Sequence, residues 1–237
     1  MIQGHFIVIE GIDGAGTSTQ ADLLAQWLRE RELPVCATTE PTTGPIGALI
    51  HQVLTHRLVT PGVTGPRPMS WATMALLFAA DRVDHVDSVI MPNLMDGVTV
   101  VCDRYDLSSI IYQSALGTGL DVSPESISAP IMRHAEADNG FDPHVLDWVR
   151  TLNSRAPRPD LTIVVDVEPH LALQRRQKRM RGTELYEDNT LQTALAKAYL
   201  AAETYAPNDF IVHVNGNAPA RAVHEQIIRH VAELRHE

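Results

Sequence analysis

The sequence predicts an α/β fold in which a five-stranded parallel sheet carries helices on both faces. Three observations favour it. Short β-branched runs alternate with stretches of helical periodicity, and successive positions in the runs are apolar, as in strands buried on both faces. A glycine-rich turn also joins the first run to the first helix. Such alternation is typical of parallel strands connected by helices.

Five runs are short and apolar enough to be single buried strands. They are residues 6–9, 34–38, 98–102, 161–165 and 210–214. Helices are predicted between them wherever apolar residues recur every three or four positions. These helices are residues 18–30, 81–91, 108–116 and 191–205.

Two stretches interrupt the alternation. Residues 60–69 contain three prolines and two glycines and are predicted to form a loop. Residues 123–160 are long for a connection, and helices are predicted inside them at 126–137 and 144–152. Neither stretch has enough apolar residues for a core of its own. The sequence therefore predicts a single domain over residues 1–237.

Composition argues against several classes of protein. The chain is 44% hydrophobic and 20% charged, which is typical of a globular protein. Nineteen basic against 29 acidic residues give a net charge of −10, whereas broad nucleic-acid binding requires clustered cations. The two cysteines indicate a reducing compartment, and no apolar run is long enough for a signal peptide or a membrane span. We therefore expect a soluble, cytoplasmic protein with no nucleic-acid or membrane partner.

A glycine-rich loop follows the first predicted strand. Its spacing is glycine, four residues, glycine, one residue and serine, which is that of a P-loop. In a P-loop, backbone N–H groups and the start of the next helix surround a phosphate group. A glycine turn without a ligand is the alternative, but the preceding strand and the following helix favour the phosphate site. We expect ATP to be bound by Gly11, Ile12, Asp13, Gly14, Ala15, Gly16, Thr17, Ser18 and Thr19, with Ser18 as a ligand of Mg²⁺.

The loop departs from the usual motif at one position. Thr17 stands where a lysine normally reaches the β- and γ-phosphates. A hydroxyl group can donate a hydrogen bond there, but it cannot neutralise charge. Two alternatives stay open: either another cation takes the place of the lysine, or the site binds nucleotide and catalyses poorly.

Further motifs follow in a defined order. They are Ile9-Glu10-Gly11-Ile12-Asp13-Gly14, Glu40-Pro41, Leu77-Phe78-Ala79-Ala80-Asp81-Arg82, Cys102-Asp103-Arg104-Tyr105, Ser108-Ser109, Tyr112-Gln113 and Pro159-Asp160-Leu161-Thr162. Their order and spacing over residues 5–215 resemble the thymidylate kinases, P-loop enzymes that transfer the γ-phosphoryl group of ATP to dTMP for dTTP synthesis. The resemblance implies a nucleoside-monophosphate-kinase fold with a mobile lid at about residues 174–188. It also implies Mg²⁺, ATP and dTMP as ligands, and a homodimer.

Charged residues follow several of the predicted strands. Asp13, Glu40 and the pair Asp103-Arg104 should meet at one edge of the sheet, because the carboxyl ends of parallel strands lie together and ligands bind there. Arg104 could bridge the phosphates of donor and acceptor, and Asp103 could hold the Mg²⁺ shell. A structural ion pair between Asp103 and Arg104 is the alternative.

The resemblance also assigns the acceptor site. In the family, the residue matching Phe78 stacks on thymine, the one matching Arg82 bonds a thymine carbonyl, and the one matching Tyr112 packs against deoxyribose. From the residues alone, Phe78 would be a core residue and Arg82 a partner of Asp81. The positions expected to bind dTMP are Glu40, Phe78, Arg82, Arg104, Ser108, Ser109, Tyr112 and Gln113. Thr39, His51 and Thr118 stand where the family often has arginines, so this site is poorer in cations than usual.

A basic segment follows the fourth predicted strand. Five of the 19 basic residues lie within seven positions: Arg175, Arg176, Lys178, Arg179 and Arg181. A solvated helix face is the usual interpretation of such a run. Family members without a basic residue in the P-loop supply a catalytic arginine from the lid. The resemblance therefore implies catalytic roles for Arg176, Arg179 and Arg181, together with Asp13 and Arg104.

The sequence thus predicts an enzyme, a dTMP kinase. Two alternatives remain. One is a nucleotide-binding module with impaired catalysis, which Thr17 and the missing arginines favour. The other is a kinase for another deoxynucleotide, nucleotide or deoxynucleoside, because the choice of thymine depends on the family resemblance alone.

Overall fold

The centre of the protein is a sheet of five parallel strands. The computed structural model describes residues 4–63, 65–120, 140–178 and 189–235. The strands are β1 (Phe6–Glu10), β2 (Val35–Thr39), β3 (Thr99–Asp103), β4 (Leu161–Asp166) and β5 (Ile211–Asn215), in the spatial order β2-β3-β1-β4-β5. The predicted α/β fold is confirmed, and every predicted strand end lies within one residue of the observed one.

Helices surround the sheet. They are α1 (Thr17–Arg29), α2 (Pro45–Leu54), α3 (Trp71–His85), α4 (Met91–Met95), α5 (Asp106–Ala115), α6 (Pro143–Leu152), α7 (Pro169–Lys178), α8 (Asn189–Tyr199), α9 (Ala202–Tyr205) and α10 (Ala220–Arg235). Wider π-type turns occupy Val86–Ile90 and Leu116–Leu120. Within the described ranges, none of the helices is both long and apolar enough to cross a membrane.

Several predicted helix boundaries are wrong. The helix predicted at 81–91 begins ten residues earlier, at Trp71, where the Ser70 hydroxyl group accepts a hydrogen bond from the N–H of Thr73. The helix predicted at 191–205 is interrupted after Tyr199, and α9 begins at Ala202. The helix predicted at 144–152 is confirmed as α6, whereas the one predicted at 126–137 lies outside the described residues.

Burial differs between the centre and the edges of the sheet. The five residues of β1 and of β3 are all buried, but β2 and β5 are only partly covered. The prediction that all five strands are buried on both faces is therefore wrong for β2 and β5, the two strands at the edges of the sheet. In β1, Ile7 and Ile9 join the larger hydrophobic core, while Phe6 and Val8 join a smaller cluster on the other face.

The sheet brings the predicted site residues to one edge. Asp103 pairs in register with Ile9 of β1 and with Thr39 of β2, so the loops after these three strands begin at the same level. The N–H of Glu40 also donates to the Asp103 carbonyl over 3.0 Å. The carboxyl ends of β1, β2 and β3 therefore form one continuous rim.

Candidate active site

The glycine loop after β1 lies directly against α7. Gly14 has φ +88°, a left-handed conformation that favours glycine, and a Cβ atom there would lie 2.5 Å from the Ala172 carbonyl oxygen of α7. Gly16 has φ +99° and immediately precedes α1. The loop can therefore adopt its fold, and pack this closely on α7, because these positions have no side chain.

Two arginines of α7 reach the loop. Arg176 Nη1 donates to the Asp13 carbonyl over 2.6 Å, and Arg175 Nη1 donates to the Ala15 carbonyl over 3.2 Å. Arg175 Nη2 also donates to the Gly216 carbonyl over 2.9 Å. Two cations thus flank the loop in which Thr17, only 6% exposed, replaces the lysine. Arg175 was not among the predicted catalytic residues, and the predicted Arg179 and Arg181 lie outside the described residues.

Arg104 connects the glycine loop to the next helix. Its backbone has φ +68°, an uncommon conformation for a residue with a side chain and one that clusters at functional sites. Arg104 Nη2 lies 2.6 Å from Asp13 Oδ1, and Nη1 donates to Ser108 Oγ and to the Tyr112 hydroxyl group over 3.3 and 3.4 Å. The alternative of an Asp103–Arg104 ion pair is wrong, because Arg104 pairs with Asp13.

A cavity of about 270 Å³ opens beside Arg104. Its wall includes all eight residues predicted to hold the acceptor: Glu40, Phe78, Arg82, Arg104, Ser108, Ser109, Tyr112 and Gln113. Asp13, Ser18 and Asp103 line the same cavity, as do Thr39 and His51, which stand at usual arginine positions. Thr118, the third such position, instead accepts a hydrogen bond from the N–H of Asp142 and donates to the Ser114 carbonyl. We call this space the acceptor cavity.

The oxygen atoms near the loop suit a magnesium ion. Asp103 is 8% exposed, and its Oδ1 atom is buried without a hydrogen-bond partner among the described residues. Ser18 stands exposed in the first turn of α1 and lines the same cavity. Mg²⁺ prefers oxygen ligands and commonly takes few from the protein.

Arg82 is fixed by a buried network. It forms an ion pair with Glu40 Oε2 over 2.7 Å, donates to the Tyr105 carbonyl over 3.1 Å, and also bonds Ser109 and Asn153. The expectation from the residues alone, that Arg82 pairs with Asp81, is wrong. Asp81 instead accepts from the N–H and the hydroxyl group of Thr42.

His85 continues this network on the far side of Glu40. Its Nδ1 atom lies 3.0 Å from Glu40 Oε1, and its Nε2 atom lies 2.7 Å from the Thr38 hydroxyl oxygen. All of these side chains are buried except that of Thr38. His85 was missed by sequence reasoning, although its position one turn after Arg82 on α3 places both on one helix face.

Several buried polar atoms in the wall of the acceptor cavity have no hydrogen-bond partner among the described residues. Besides Asp103 Oδ1 and the Tyr105 hydroxyl group, they include Nε of Arg82, a donor, and Oε1 of Gln113, an acceptor. Arg82 is 2% exposed and Gln113 is 1% exposed. A buried polar atom without a partner costs free energy, so these two atoms favour a ligand that supplies an acceptor and a donor.

Glu10, at the end of β1, was also missed. It is fully buried, and its Oε1 atom accepts from the N–H groups of Tyr105 and Ser108 at the start of α5, over 2.8 and 3.1 Å. Its Oε2 atom accepts from the hydroxyl groups of Ser108 and Tyr199 over 2.5 and 3.1 Å. Burial raises the pKa of Glu10 to about 7, although these hydrogen bonds and the Arg104 charge act to lower it.

Gln192, on α8, holds Asp13 at two points. Its Oε1 atom accepts from the Asp13 N–H over 3.1 Å, and its Nε2 atom donates to Asp13 Oδ2 over 2.8 Å. The two residues are 179 positions apart in the chain. No local pattern could have identified this contact, because it depends on α8 packing against the loop.

Comparison with known proteins gives a consistent result. The family model described as thymidylate kinase matches residues 9–127 and 140–227. A probable thymidylate kinase of Pyrococcus horikoshii is 36% identical over 236 residues, which cover 100% of this chain and 98% of the relative. A thymidylate kinase of Syntrophus aciditrophicus is 31% identical over 242 residues, covering 98% and 95%. With its parallel sheet, glycine loop and acceptor cavity, the chain belongs to the thymidylate kinase family.

Proposed function

We propose that this protein transfers the γ-phosphoryl group of ATP to dTMP, giving ADP and dTDP for dTTP synthesis. The observation that carries the proposal is the contact between Asp13 and Arg104, 2.6 Å apart. It joins the phosphate-binding loop to the cavity that would hold the acceptor. Donor and acceptor phosphates would therefore meet around one guanidinium group, as phosphoryl transfer requires.

Two of the unpartnered atoms of the acceptor cavity match the edge of thymine. Thymine presents a carbonyl acceptor at O4 and an N–H donor at N3, which would satisfy Arg82 Nε and Gln113 Oε1. Cytosine presents an amino donor and a ring acceptor at these positions and would leave both protein atoms opposed to like groups. Phe78 in the same wall would stack on the base, and Tyr112 would pack against the deoxyribose.

Phosphoryl transfer requires positioning and neutralisation of charge from the protein. An oxygen of the dTMP phosphate attacks the γ-phosphorus, the bond from the γ-phosphorus to the bridging oxygen breaks, and ADP leaves with that oxygen. Arg104 would hold the acceptor phosphate, and Asp13 would orient Arg104. Mg²⁺, when bound, neutralises phosphate oxygens, and Ser18 and Asp103 are the residues that would hold it.

The donor phosphates would be bound by arginines of α7 and by backbone N–H groups of residues 11–19, other than those of Asp13 and Ala15, which donate to Gln192 and Ile12. The contacts of Arg175 and Arg176 with the loop carbonyls support a role for these cations in place of the lysine that Thr17 replaces. We extend the proposal to Arg179 and Arg181 on sequence grounds alone, as parts of a lid at about residues 174–188.

We also propose that a single domain of this kind works as a homodimer in the cytoplasm. Leu76, Ala80 and Val83 are exposed at helical spacing on α3. Leu76 is 51% exposed and Val83 is 41% exposed. An apolar stripe of this kind suits a second copy of the same helix. Light scattering of the purified protein tests this, and a monomer at working concentration would refute it.

A substrate panel tests the proposed activity. ADP release is measured with ATP and Mg²⁺ and with dTMP, dUMP, dCMP or thymidine as acceptor. We expect efficient turnover of dTMP, less of dUMP and roughly 10⁴-fold less of dCMP, because a site built to hydrogen-bond a substrate group rejects an analogue without the matching group by about that much. Binding of ATP without turnover of any acceptor would favour the impaired module, which the Thr17 substitution suggests. Preference for another acceptor would favour a different kinase.

A further inference from the structure

A second cavity, of about 490 Å³, lies between the carboxyl ends of β4 and β5 and helix α8. It shares no lining residue with the acceptor cavity. Its volume falls within the range of about 300–1,000 Å³ that is common for small-molecule sites. Apolar side chains form much of the wall: Ile12, Val165, Val167, Tyr199, Leu200 and Val214. We call this space the rear cavity.

In the carboxylate of Asp166, which lines this wall, only one of the two oxygen atoms has a partner among the described residues. Asp166 Oδ2 lies 2.8 Å from His213 Nδ1, whereas Asp166 Oδ1 is buried and has no hydrogen-bond partner among the described residues. Burial raises the pKa of Asp166 even though His213 acts to lower it. The Nε2 atom of His213 faces Glu203 over 3.3 Å, so this histidine is held from both sides. The remaining Asp166 oxygen therefore offers an acceptor for a hydrogen-bond donor in the cavity.

Other polar groups in the wall are already bonded or stand at the surface. Asn215 Oδ1 accepts from the N–H of Asn217, and Asn217 Oδ1 accepts from the N–H of Glu168. These bonds fix the rim formed by the loops after β4 and β5. Lys197 is exposed on α8 and lines the same cavity. The rear cavity thus combines an apolar slot, a buried acceptor and a cation at the surface.

Two elements of the active site, the glycine loop and helix α8, also form walls of the rear cavity. Ile12 belongs to the glycine loop, and α8 carries both Tyr199, which bonds Glu10, and Gln192, which bonds Asp13. A molecule placed between Ile12 and α8 would change the spacing between the loop and the helix that positions Asp13. Two packed elements in contact transmit such a displacement because protein interiors are nearly incompressible.

We propose that the rear cavity binds a flat heteroaromatic molecule carrying an amino or amidine group, the donor pattern of an aminated nucleobase. The ring lies in the apolar slot, and the N–H donors bond Asp166. Lys197 accommodates an anionic substituent where the ligand has one. Binding lowers the kinase rate by displacing α8 from Asp13, and this regulatory part, unlike the binding itself, rests on the proposed function.

Matched probes test the binding. The full-length protein is titrated by calorimetry with 2-aminobenzimidazole and with 2-methylbenzimidazole, which has the same shape without the amino donors. We expect the amino compound to bind at least about tenfold more tightly, since a hydrogen bond to a charged group is typically worth that much. Binding should persist in the presence of dTMP and a non-hydrolysable ATP analogue. Equal affinity for the two probes, or displacement by the ATP analogue, would overturn the proposal.

Two variants locate the site. Asp166→Asn should weaken binding of the amino compound about tenfold, whereas Asp96→Asn, at an exposed position lining neither cavity, should leave it unchanged. Ala196→Leu keeps Asp166 but fills part of the cavity, so it should weaken binding of both probes. Thermal melting checks that each variant folds. Unchanged affinity in both Asp166→Asn and Ala196→Leu would place the probe elsewhere and refute the site.

A kinetic measurement tests the regulatory part separately. At saturating ATP and dTMP, 2-aminobenzimidazole should lower kcat severalfold in the wild type and not in Asp166→Asn. Binding by calorimetry with an unchanged kcat would refute the coupling to Asp13. If the protein turned over no nucleotide at all, the proposed function would fail while the calorimetric result would still decide the binding site.

Discussion

The two sides of the active site are built in different ways. On the acceptor side, Arg82, Glu40 and His85 form a buried network of side chains that hold one another in place. On the donor side, the glycine loop offers backbone groups, and its cations, Arg175 and Arg176, come from α7, some 160 residues later in the chain.

We expect this difference to separate recognition from catalysis. A network of buried and mutually bonded side chains is rigid and selects one acceptor by leaving few atoms unsatisfied. A backbone loop with cations from a separate helix binds any triphosphate and acquires its full charge only when that helix is in position. Substitutions on the acceptor side should therefore alter specificity and stability, and those on the donor side should alter rate.

The largest effect is expected where the two sides meet. Arg104→Ala removes the group that contacts Asp13, Ser108 and Tyr112, so kcat/KM for dTMP should fall about 10³-fold. Steady-state ADP release measures it. Arg150→Ala is the control, because Arg150 bonds the Thr204 and Tyr205 carbonyls and lines neither cavity. A comparable loss in both variants would contradict the role of Arg104.

The buried Glu10 side chain should make the stability of the protein depend on pH. Glu10 has a pKa of about 7 in the folded protein against an ordinary value of 4.5, so the folded state retains a proton that the unfolded state loses. The stabilisation that the protonated Glu10 side chain gives to the folded state is fully present below pH 4.5 and is lost as pH rises through about 7. Between those pH values the free energy of unfolding of wild type should fall by about 3 kcal/mol relative to that of Glu10→Gln, because glutamine imitates the protonated form and does not titrate.

Urea denaturation of wild type and Glu10→Gln at pH 5 and pH 8 measures this difference. Glutamine can still accept from the N–H groups of Tyr105 and Ser108, so the start of α5 stays capped. A constant difference in unfolding free energy between the two pH values would contradict the buried, protonated Glu10.

On the donor side, Arg176→Ala should lower kcat about 10²-fold with little change in the KM for dTMP. The guanidinium group of Arg176 bonds the Asp13 carbonyl and therefore lies at the phosphate loop. Lys178→Ala is the matched control, because Lys178 is an exposed cation on the same helix. If removing either cation had the same effect, general surface charge and not position would explain the rate.

The smallest effect is expected at the contact between α8 and the loop. Gln192→Ala leaves Asp13 bound to Arg104 but removes two hydrogen bonds, so kcat should fall about tenfold. Thr193→Ala on the next position of α8 should change kcat less than about twofold. Equal rates for Gln192→Ala and wild type would show that Asp13 keeps its position without Gln192.

The sequence predicted the sheet because strands depend on local signals, whereas the dTMP-binding residues came from the family resemblance and their role stays a prediction. Short apolar runs identify strands. Because the carboxyl ends of parallel strands lie at one edge of the sheet, Asp13, Glu40 and Asp103 are then expected to lie there together. The start of α3 was predicted ten residues late because residues 71–80 are mostly apolar, so they show little of the polar and apolar alternation that marks a surface helix. Glu10, His85 and Gln192 were missed because their roles depend on partners 45 to 189 residues away, which only the packed fold brings near.

A double-mutant cycle tests most directly whether arginines of α7 replace the missing lysine of the loop. The rate of dTMP-dependent ADP formation is measured in wild type, Thr17→Lys, Arg176→Ala and the double variant. Thr17→Lys should change the wild-type rate less than about threefold but raise the Arg176→Ala rate at least about tenfold, because the two cations serve the same phosphates. An equal factor in both backgrounds would contradict the replacement.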